Sequence, residues 1–144
     1  MSGNTPKSSV TGSVQYLNPD TLPKNPAYTQ VVVTSGPAKT LYIGMQNAVN
    51  AAGVIVGKGD IGAQTEQTLN NVEACLKAGG AGLENLVLVT VYIVQGHPFQ
   101  PGFQAFQRWW GTRPNPPANT ILTVLPMIVP DFLVGIEAIA VVPQ

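Results

Sequence analysis

The stretch AQTEQTLNNVEACLKA at residues 63–78 and the stretch LVLVTVYIV at residues 86–94 together decide the predicted fold. The first stretch carries one apolar stripe at helical spacing, formed by Thr65, Leu69, Val72 and Leu76. The second is a continuous β-branched run, which is typical of a strand covered on both faces. Gly79 and Gly80 separate the two stretches and end the helix. The sequence therefore predicts an amphipathic helix that leads into a buried strand.

Upstream of this pair, the sequence predicts several strands and a hairpin. A β-branched run at 29–34 ends at the turn signal SGP, residues 35–37, and a second apolar run follows at 40–46. We expect these two strands to pair with each other. A short strand is also predicted at 13–17, and the glycine-rich stretch 47–62 is predicted to be mostly loop.

Downstream of the pair, aromatic residues repeat at helical spacing and predict a second helix. The repeat falls at i, i+4, i+7 and i+11 and consists of Phe99, Phe103, Phe106 and Trp110. We expect this stripe to pack on the core, with Arg108 on the opposite, solvent side. Two more strands are predicted at 120–125 and 132–142. The last strand alternates, and its apolar face is formed by Phe132, Val134, Ile136, Ala138 and Ala140.

The predicted order of elements determines the fold class. Two helices that each bury one stripe, among strands joined by short turns, are accommodated by a mostly antiparallel sheet with both helices on one face. The predicted class is therefore α+β. The length of 144 residues fits a single domain, 1–144, in which residues 1–27 form a loosely structured N-terminal extension.

The composition excludes several classes of partner and site. Charged residues make up 10% of the chain, against about 25% in a typical domain, and the formal net charge is zero. Such a chain has no long-range field that would attract nucleic acid or an anionic membrane. One Cys and one His cannot form a four-ligand zinc site or an internal disulfide. Residues 1–14 show no signal peptide, and the longest apolar run has nine residues, so we expect a soluble, cytoplasmic protein.

Several motifs, in this order and spacing, resemble the YjgF/RidA family over roughly residues 28–142. They are GAQT leading into TLNNV in the first helix, LVLVTVYI in the following strand, PANT with LP, and the final strand IEAIAV. The resemblance implies a chorismate-mutase-like α+β subunit that assembles as a homotrimer, with a small-molecule cleft between neighbouring subunits. Well-studied members of the family hydrolyse enamines and imines of the 2-aminoacrylate type to 2-oxo acids and ammonia. They use no cofactor, and we expect no metal site in this chain.

The resemblance also assigns positions in the cleft, and most of them carry a different residue type here. Asn119 stands where the family has a carboxylate-binding arginine, and Gly135 stands where a glutamate commonly lies near the reacting water. Gly44 replaces a serine, and Phe103 aligns with a cleft asparagine. Tyr28 is the family tyrosine. It is a candidate catalytic residue, on which water attack at a C=N bond would rely, and otherwise it lines the pocket or fills the contact between subunits. The resemblance thus implies a relined cleft without the usual carboxylate clamp.

Other residues have two interpretations each. Arg113 is either a solvated loop cation or a substitute for the missing arginine, brought to the cleft by a trimer contact. Glu137 is either a displaced catalytic acid or base, or structural. Trp109 either lines an apolar pocket or fills a subunit contact. His97 is either exposed or a general base, and for Cys75 a buried structural thiol is favoured over a nucleophile.

Three functions are therefore compared. The first is a divergent Rid enzyme that hydrolyses or binds an uncharged or weakly polar enamine or imine. The second is a non-catalytic trimer that binds a small molecule or a protein. The third is RNA cleavage, which ranks last because the seven basic residues are scattered along the chain and form no cluster.

Overall fold

Strands and helices follow one another in nearly the predicted order. The computed structural model describes residues 10–144, so the part of the expected N-terminal extension that covers residues 1–9 lies outside the described residues. The elements are β1 (Ser13–Leu17), β2 (Val31–Ser35), β3 (Ala38–Gln46), α1 (Ile61–Ala78), β4 (Leu86–Val94), α2 (Gln100–Trp110), β5 (Ala118–Val124) and β6 (Val134–Pro143). A single 3₁₀ turn, Leu83–Asn85, precedes β4.

Helix α1 has the predicted buried stripe. Thr65, Leu69, Val72 and Leu76 are all buried. The helix begins two residues earlier than predicted because the Asp60 carboxylate caps it and accepts a hydrogen bond from the Ala63 amide at 3.1 Å. Glu66 therefore lies in the second turn of the helix. At the other end, Gly80 adopts a φ of 75°, which ends the helix as expected.

The main sheet has four strands in the order β3-β6-β4-β5, and both helices pack on one face of it. The β3–β6 and β6–β4 pairs are antiparallel, and the β4–β5 pair is parallel. The prediction of a mostly antiparallel sheet is therefore confirmed, as is the α+β class. The apolar face of β6 lies against α1 in the core, through Val134, Ile136, Ala138 and Ala140.

The predicted hairpin between residues 29–34 and 40–46 was wrong. Strand β2 pairs instead with β1, in a separate two-stranded sheet, whereas β3 pairs with β6. Gly36 has a φ of 75° and Pro37 has no amide proton, so the chain turns out of one sheet and into the other between β2 and β3. Pairing with β6 also places Leu41 and Ile43 of β3 under α1, where they contact the core.

The face of the main sheet that is turned away from the helices is the open face. It carries Leu88, Thr90 and Tyr92 of β4, together with Glu137 and Ile139 of β6. Leu88 is 36% exposed. Within the single chain, β4 is therefore covered on only one face, which differs from the expectation of two covered faces. Within the single chain, no other element covers the open face in the part that the structure describes.

Candidate functional site

A small apolar cavity lies between α1, α2, β4 and β5, on the helix side of the sheet. We call it the Asn119 cavity. Its volume is about 60 Å³, and its wall includes Leu69, Val91, Phe103, Phe106, Asn119 and Ile121. None of the described residues that line it is charged. The cavity is thus a space enclosed mainly by aliphatic and aromatic groups.

Asn119 supplies the free polar group of this cavity. It pairs with Val89 in the parallel β4–β5 ladder, and the two-residue alternation turns it toward the same side as Ile121. Its side-chain amide makes no hydrogen bond to any residue in 10–144. By contrast, the Thr65 hydroxyl in the same wall already donates to the Ile61 carbonyl at 2.7 Å. A ligand in the cavity therefore meets one unoccupied amide, which both donates and accepts.

Phe103 belongs to an aromatic wall that α2 contributes to the cavity. Its ring stacks on Phe99 with centroids 5.3 Å apart, and Phe106 stacks on Trp110 at 6.3 Å. Trp110 is buried as predicted, but Phe99 is exposed at the start of the helix, outside the core. Only part of the predicted stripe is therefore core, and the rest lines the cavity and its mouth.

The first turn of α2 lies close to α1. A Cβ added at Gly102 would come within 3.0 Å of the Thr65 hydroxyl. The missing side chain at this position therefore allows the two helices to approach at the cavity wall.

Tyr28 lies beside the segment that leads into Asn119. The neighbouring Thr29 donates from its hydroxyl to the Pro116 carbonyl at 2.5 Å, and its amide donates to the Pro117 carbonyl at 3.3 Å. These bonds hold the 27–29 segment against the start of β5. Ala27 and Pro117 line the cavity, whereas Tyr28 is half-buried beside it and is not part of the wall.

Glu137 lies on the open face, across the sheet from Asn119. Its Oε1 accepts a hydrogen bond from the Tyr92 hydroxyl at 2.6 Å. This hydrogen bond, with smaller contributions from desolvation and from the charge of Glu137, raises the pKa of Tyr92 above its usual value of 10.0. Gly44 and Thr90 line the same shallow depression of the sheet. The Glu137 carboxylate is therefore already engaged and points away from the Asn119 cavity of its own chain.

Gly135 is covered by Met45. A Cβ at position 135 would lie 2.5 Å from the Met45 sulfur and 3.1 Å from the Asn47 side-chain nitrogen. That nitrogen donates to the Val134 carbonyl at 3.0 Å, so it is held in place. The missing side chain at 135 and the thioether over it fit each other. Gly44 differs, because a Cβ there would meet no atom within 4 Å.

Trp109 and Arg113 lie at the far end of α2. The Trp109 indole donates to Glu73 Oε2 on α1 at 3.3 Å. The Arg113 guanidinium donates to the Trp110 carbonyl at 2.8 Å and to the Trp109 carbonyl at 3.4 Å. These are free carbonyls at a helix C-terminus, where a cation is favoured. Neither residue lines the Asn119 cavity.

The remaining candidates form no constellation. Cys75 is half-buried against the core, and His97 is half-buried just before α2. Among the residues that the structure describes, no group of three His, Cys, Asp or Glu side chains is close enough to hold a metal ion. In the same part of the chain, no helix is both long enough and apolar enough to cross a membrane.

The chain is similar in sequence to a known group of proteins. The model of the family described as Endoribonuclease L-PSP matches residues 20–142. The chain belongs to this family. A RutC family protein of Pyrococcus horikoshii is 34% identical over 102 residues, which are 69% of this chain and 77% of that protein.

Solved structures of Rid proteins share the fold. YyfB of Yersinia pestis, a protein of unknown function in the conserved Rid family, is 31% identical with a TM-score of 0.79, covering 90% of this chain and 98% of that one. The YjgF gene product of E. coli is 27% identical with a TM-score of 0.64, covering 71% and 80%. The predicted YjgF/RidA resemblance is therefore confirmed.

In this Rid chain, the residues that were singled out from the sequence fall into separate regions. Asn119 and Phe103 line one cavity, whereas Gly44, Gly135 and Glu137 belong to the open face, with Gly135 covered by Met45. Tyr28, Trp109 and Arg113 lie in neither region. Sequence reasoning did not find Tyr92, which engages Glu137. One signal was present: Thr90 and Tyr92 are the polar positions of an otherwise aliphatic strand, two residues apart and therefore on the same face.

Proposed function

We propose that this Rid-family chain forms a homotrimer that binds a small enamine or imine in clefts between neighbouring subunits and hydrolyses it. One observation supports the proposal above the others. Asn119 on β5 and Phe103 on α2, both assigned to the cleft by resemblance, line the same cavity. This shared cavity, whose wall is mainly apolar, supports the proposal that it is the ligand site.

Exposed apolar side chains support assembly of the trimer. Tyr42 is 80% exposed on β3, and Leu122 is 45% exposed on β5, an edge strand of the sheet. Apolar groups on a sheet face and edge are commonly covered by a second chain. We propose a single domain over residues 1–144 that packs in this way. Light scattering on the purified protein would then give three times the chain mass of 15.1 kDa.

Hydrolysis of a C=N bond is the proposed reaction. Water adds to the carbon, the C–N bond then breaks, and the protons of the water end on nitrogen, which leaves as ammonia while the carbon keeps the oxygen as a carbonyl. In the proposed reaction the Asn119 amide, which lines the cavity, donates a hydrogen bond to the reacting group. Tyr28, beside the same segment, is a second donor. Within one chain, Glu137 lies across the sheet from Asn119. It therefore contributes to the reaction only if a neighbouring subunit brings its Glu137 to this cavity. We propose no cofactor, because a C=N carbon is already electrophilic.

Binding without turnover is the second candidate. It is favoured by the absence of any charged or imidazole side chain among the described residues of the cavity wall, and by the engagement of Glu137 with Tyr92. A site without a free acid or base holds a ligand but gives little help in moving protons.

Ammonia release separates the two candidates. A sample shown to be trimeric is assayed with 2-aminoacrylate and with an imine that has no carboxylate. We expect turnover of the carboxylate-free imine, its loss in Asn119→Leu, and its retention in Asn70→Leu, the same change at an exposed position of α1. No turnover of either compound, together with a ligand-dependent rise in Tm, would establish the binding module instead.

RNA cleavage is the function that the family description suggests. The zero net charge and the scattered basic residues give little support to binding of a phosphate backbone. We therefore propose a cytoplasmic protein with neither nucleic acid nor membrane as partner. Salt-dependent RNA binding that disappears on neutralising Arg108 or Arg113 would contradict this.

A further inference from the structure

The wall of the Asn119 cavity sets a strong constraint on the charge of its ligand. Every described side chain in the wall is uncharged, and apart from Thr65 and Asn119 every one is apolar. The Thr65 hydroxyl gives its proton to the Ile61 carbonyl. A carboxylate placed here would lose its water shell and find no cation in exchange, which is among the more costly forms of burial.

The two charged residues considered for a role in the cleft, Arg113 and Glu137, are engaged elsewhere. The guanidinium of Arg113 is bonded to the last carbonyls of α2. The carboxylate of Glu137 is bonded to Tyr92 on the other face of the sheet. In the chain as folded, neither supplies a counter-charge to a ligand that sits between Phe103 and Asn119.

The size of the cavity limits the body of the ligand. A single water needs roughly 10–15 Å³ of such space. The volume of about 60 Å³ therefore holds only a few water-sized groups. A short branched aliphatic group, or part of a ring that continues out through the mouth, fits this space.

The free amide of Asn119 specifies the polar end of the ligand. Its nitrogen donates and its oxygen accepts, and neither atom has a partner within residues 10–144. A C=O or C=N group accepts from the nitrogen. A carboxamide does this and also donates to the oxygen, so that both polar atoms of Asn119 are satisfied.

We infer that the Asn119 cavity takes small uncharged compounds in which a C=O or C=N group is attached to an apolar body, and that it rejects carboxylates. The inference rests on the proposed function and names the ligand class of that same site. Asn119 is the specificity-determining residue, and the apolar wall supplies the exclusion of charge.

Two probes of nearly equal shape test this inference. Isobutyramide and isobutyrate differ mainly in charge at about pH 7, where the carboxylic acid is ionised. Binding of each to the trimeric protein is measured by calorimetry and by chemical-shift changes of the methyl groups around the cavity. We expect isobutyramide to bind at least about tenfold more tightly than isobutyrate, because the amide pairs with Asn119 and the acid meets no cation.

Variants at position 119 test whether Asn119 determines the preference for isobutyramide over isobutyrate. Asn119→Leu should lose the binding of isobutyramide, whereas Asn70→Leu should keep it. Asn119→Arg should reverse the order and favour isobutyrate, since a guanidinium pairs with a carboxylate. Reversal also shows that the variant remains folded and that its cavity remains open.

Each other outcome overturns the inference. Equal or tighter binding of isobutyrate by the unchanged protein would show that a cation reaches the cavity. Binding of neither probe would show that the wall and the amide do not define the ligand class. Neither outcome decides the proposed function, which has its own readouts in chain mass and ammonia release.

Discussion

The Asn119 cavity and the open face lie on opposite sides of the same four-stranded sheet, and they treat polar groups in opposite ways. The cavity holds one side-chain amide, that of Asn119, in an apolar wall, and this amide has no partner within residues 10–144. The open face carries a carboxylate, but a neighbouring phenol already occupies it at 2.6 Å. A ligand in the cavity can therefore hydrogen-bond to the Asn119 amide but meets no charge. A ligand on the open face meets the charge of Glu137, but this carboxylate already accepts a hydrogen bond from Tyr92.

This difference separates the cavity amide of Asn119 from Glu137, the candidate acid or base. A sheet presents alternate residues to alternate faces, so Asn119 and Glu137 cannot act on one molecule within one chain. If both contribute to a reaction, a neighbouring subunit has to bring its own open face to the cavity mouth. The contrast between the two faces therefore predicts different responses to the same substitution.

The largest expected effect comes from truncating a leucine on each side. Leu69 is 1% exposed and borders the cavity, so Leu69→Ala should lower the free energy of unfolding by about 2–5 kcal/mol. Leu88→Ala makes the same change on the open face and should cost much less within the chain, but it should weaken the proposed trimer. Urea denaturation at several protein concentrations measures both.

The comparison would be contradicted if Leu69→Ala and Leu88→Ala lowered the free energy of unfolding equally at every protein concentration. Equal losses would mean that Leu88 is as fully buried as Leu69 within the single chain. A loss at Leu88 that depends on protein concentration would instead show that another copy covers the open face.

The second effect concerns Gly135 and its cover. Gly135→Glu should destabilise the protein by about 1–3 kcal/mol, because a carboxylate would enter a buried position, its Cβ would lie 3.1 Å from the held Asn47 nitrogen, and the end of Met45 would have to move aside. Met45→Gly in the same chain removes that obstacle, and the double variant should recover part of the loss, with a coupling of about 0.5–3 kcal/mol. Thermal or urea unfolding of the four proteins measures the coupling.

Gly44 provides the matched control for this cycle. A side chain there meets no atom within 4 Å, so Gly44→Ser should change stability little. Strict additivity of Gly135→Glu and Met45→Gly would show that the two residues do not constrain each other.

Local patterns predicted the elements of the fold well, and they failed where partners had to be chosen. The stripe of α1 is read from helical spacing alone, and its four positions are buried. The partner of β3 was predicted wrongly because a short turn after β2 suggests a hairpin. The chain instead leaves the small sheet at Gly36 and Pro37. Pairing of β3 with β6 then buries Leu41 and Ile43 beneath α1.

The candidate site was less accessible from the sequence. Resemblance named Asn119 and Phe103, but their joint cavity depends on the packing of α2 over β5, which no local pattern contains. Met45, which covers Gly135, lies where the β3–β6 ladder shifts register, between Ile43 and Gln46. Such irregularities depend on how two distant strands meet.

The third prediction tests the polar pair of the open face by titration. Glu137→Gln replaces the anionic hydrogen-bond acceptor that raises the pKa of Tyr92 with a neutral one, so this pKa should fall toward the usual value of 10.0. Because the folded state holds the Tyr92 proton more tightly than the unfolded state, the pair stabilises the fold below about pH 10 and this contribution is lost as pH rises through the raised pKa. Ultraviolet absorbance of the phenolate measures the shift.

Tyr92→Phe is the control that assigns the titration. It should remove one of the late-titrating phenols and flatten the decline of stability in alkali. Tyr16, whose pKa burial also raises, should titrate as before. An unchanged alkaline titration in Glu137→Gln would mean that the hydrogen bond does not form in solution.

The smallest effect is expected for Arg113→Gln. This variant tests whether the Arg113 guanidinium only caps α2 or also reaches the Asn119 cavity. The guanidinium caps the C-terminus of α2, so Arg113→Gln should cost only about 0.3–1 kcal/mol of stability. The preference of the cavity for isobutyramide over isobutyrate should not change, because the guanidinium does not line the cavity. Calorimetry on the variant measures the preference, with Arg108→Gln, on an exposed position of the same helix, as the matched control. A loss of isobutyrate binding in Arg113→Gln alone would place this cation in the cleft of the assembled protein, and the two sides of the sheet would then differ less in charge than the single chain shows.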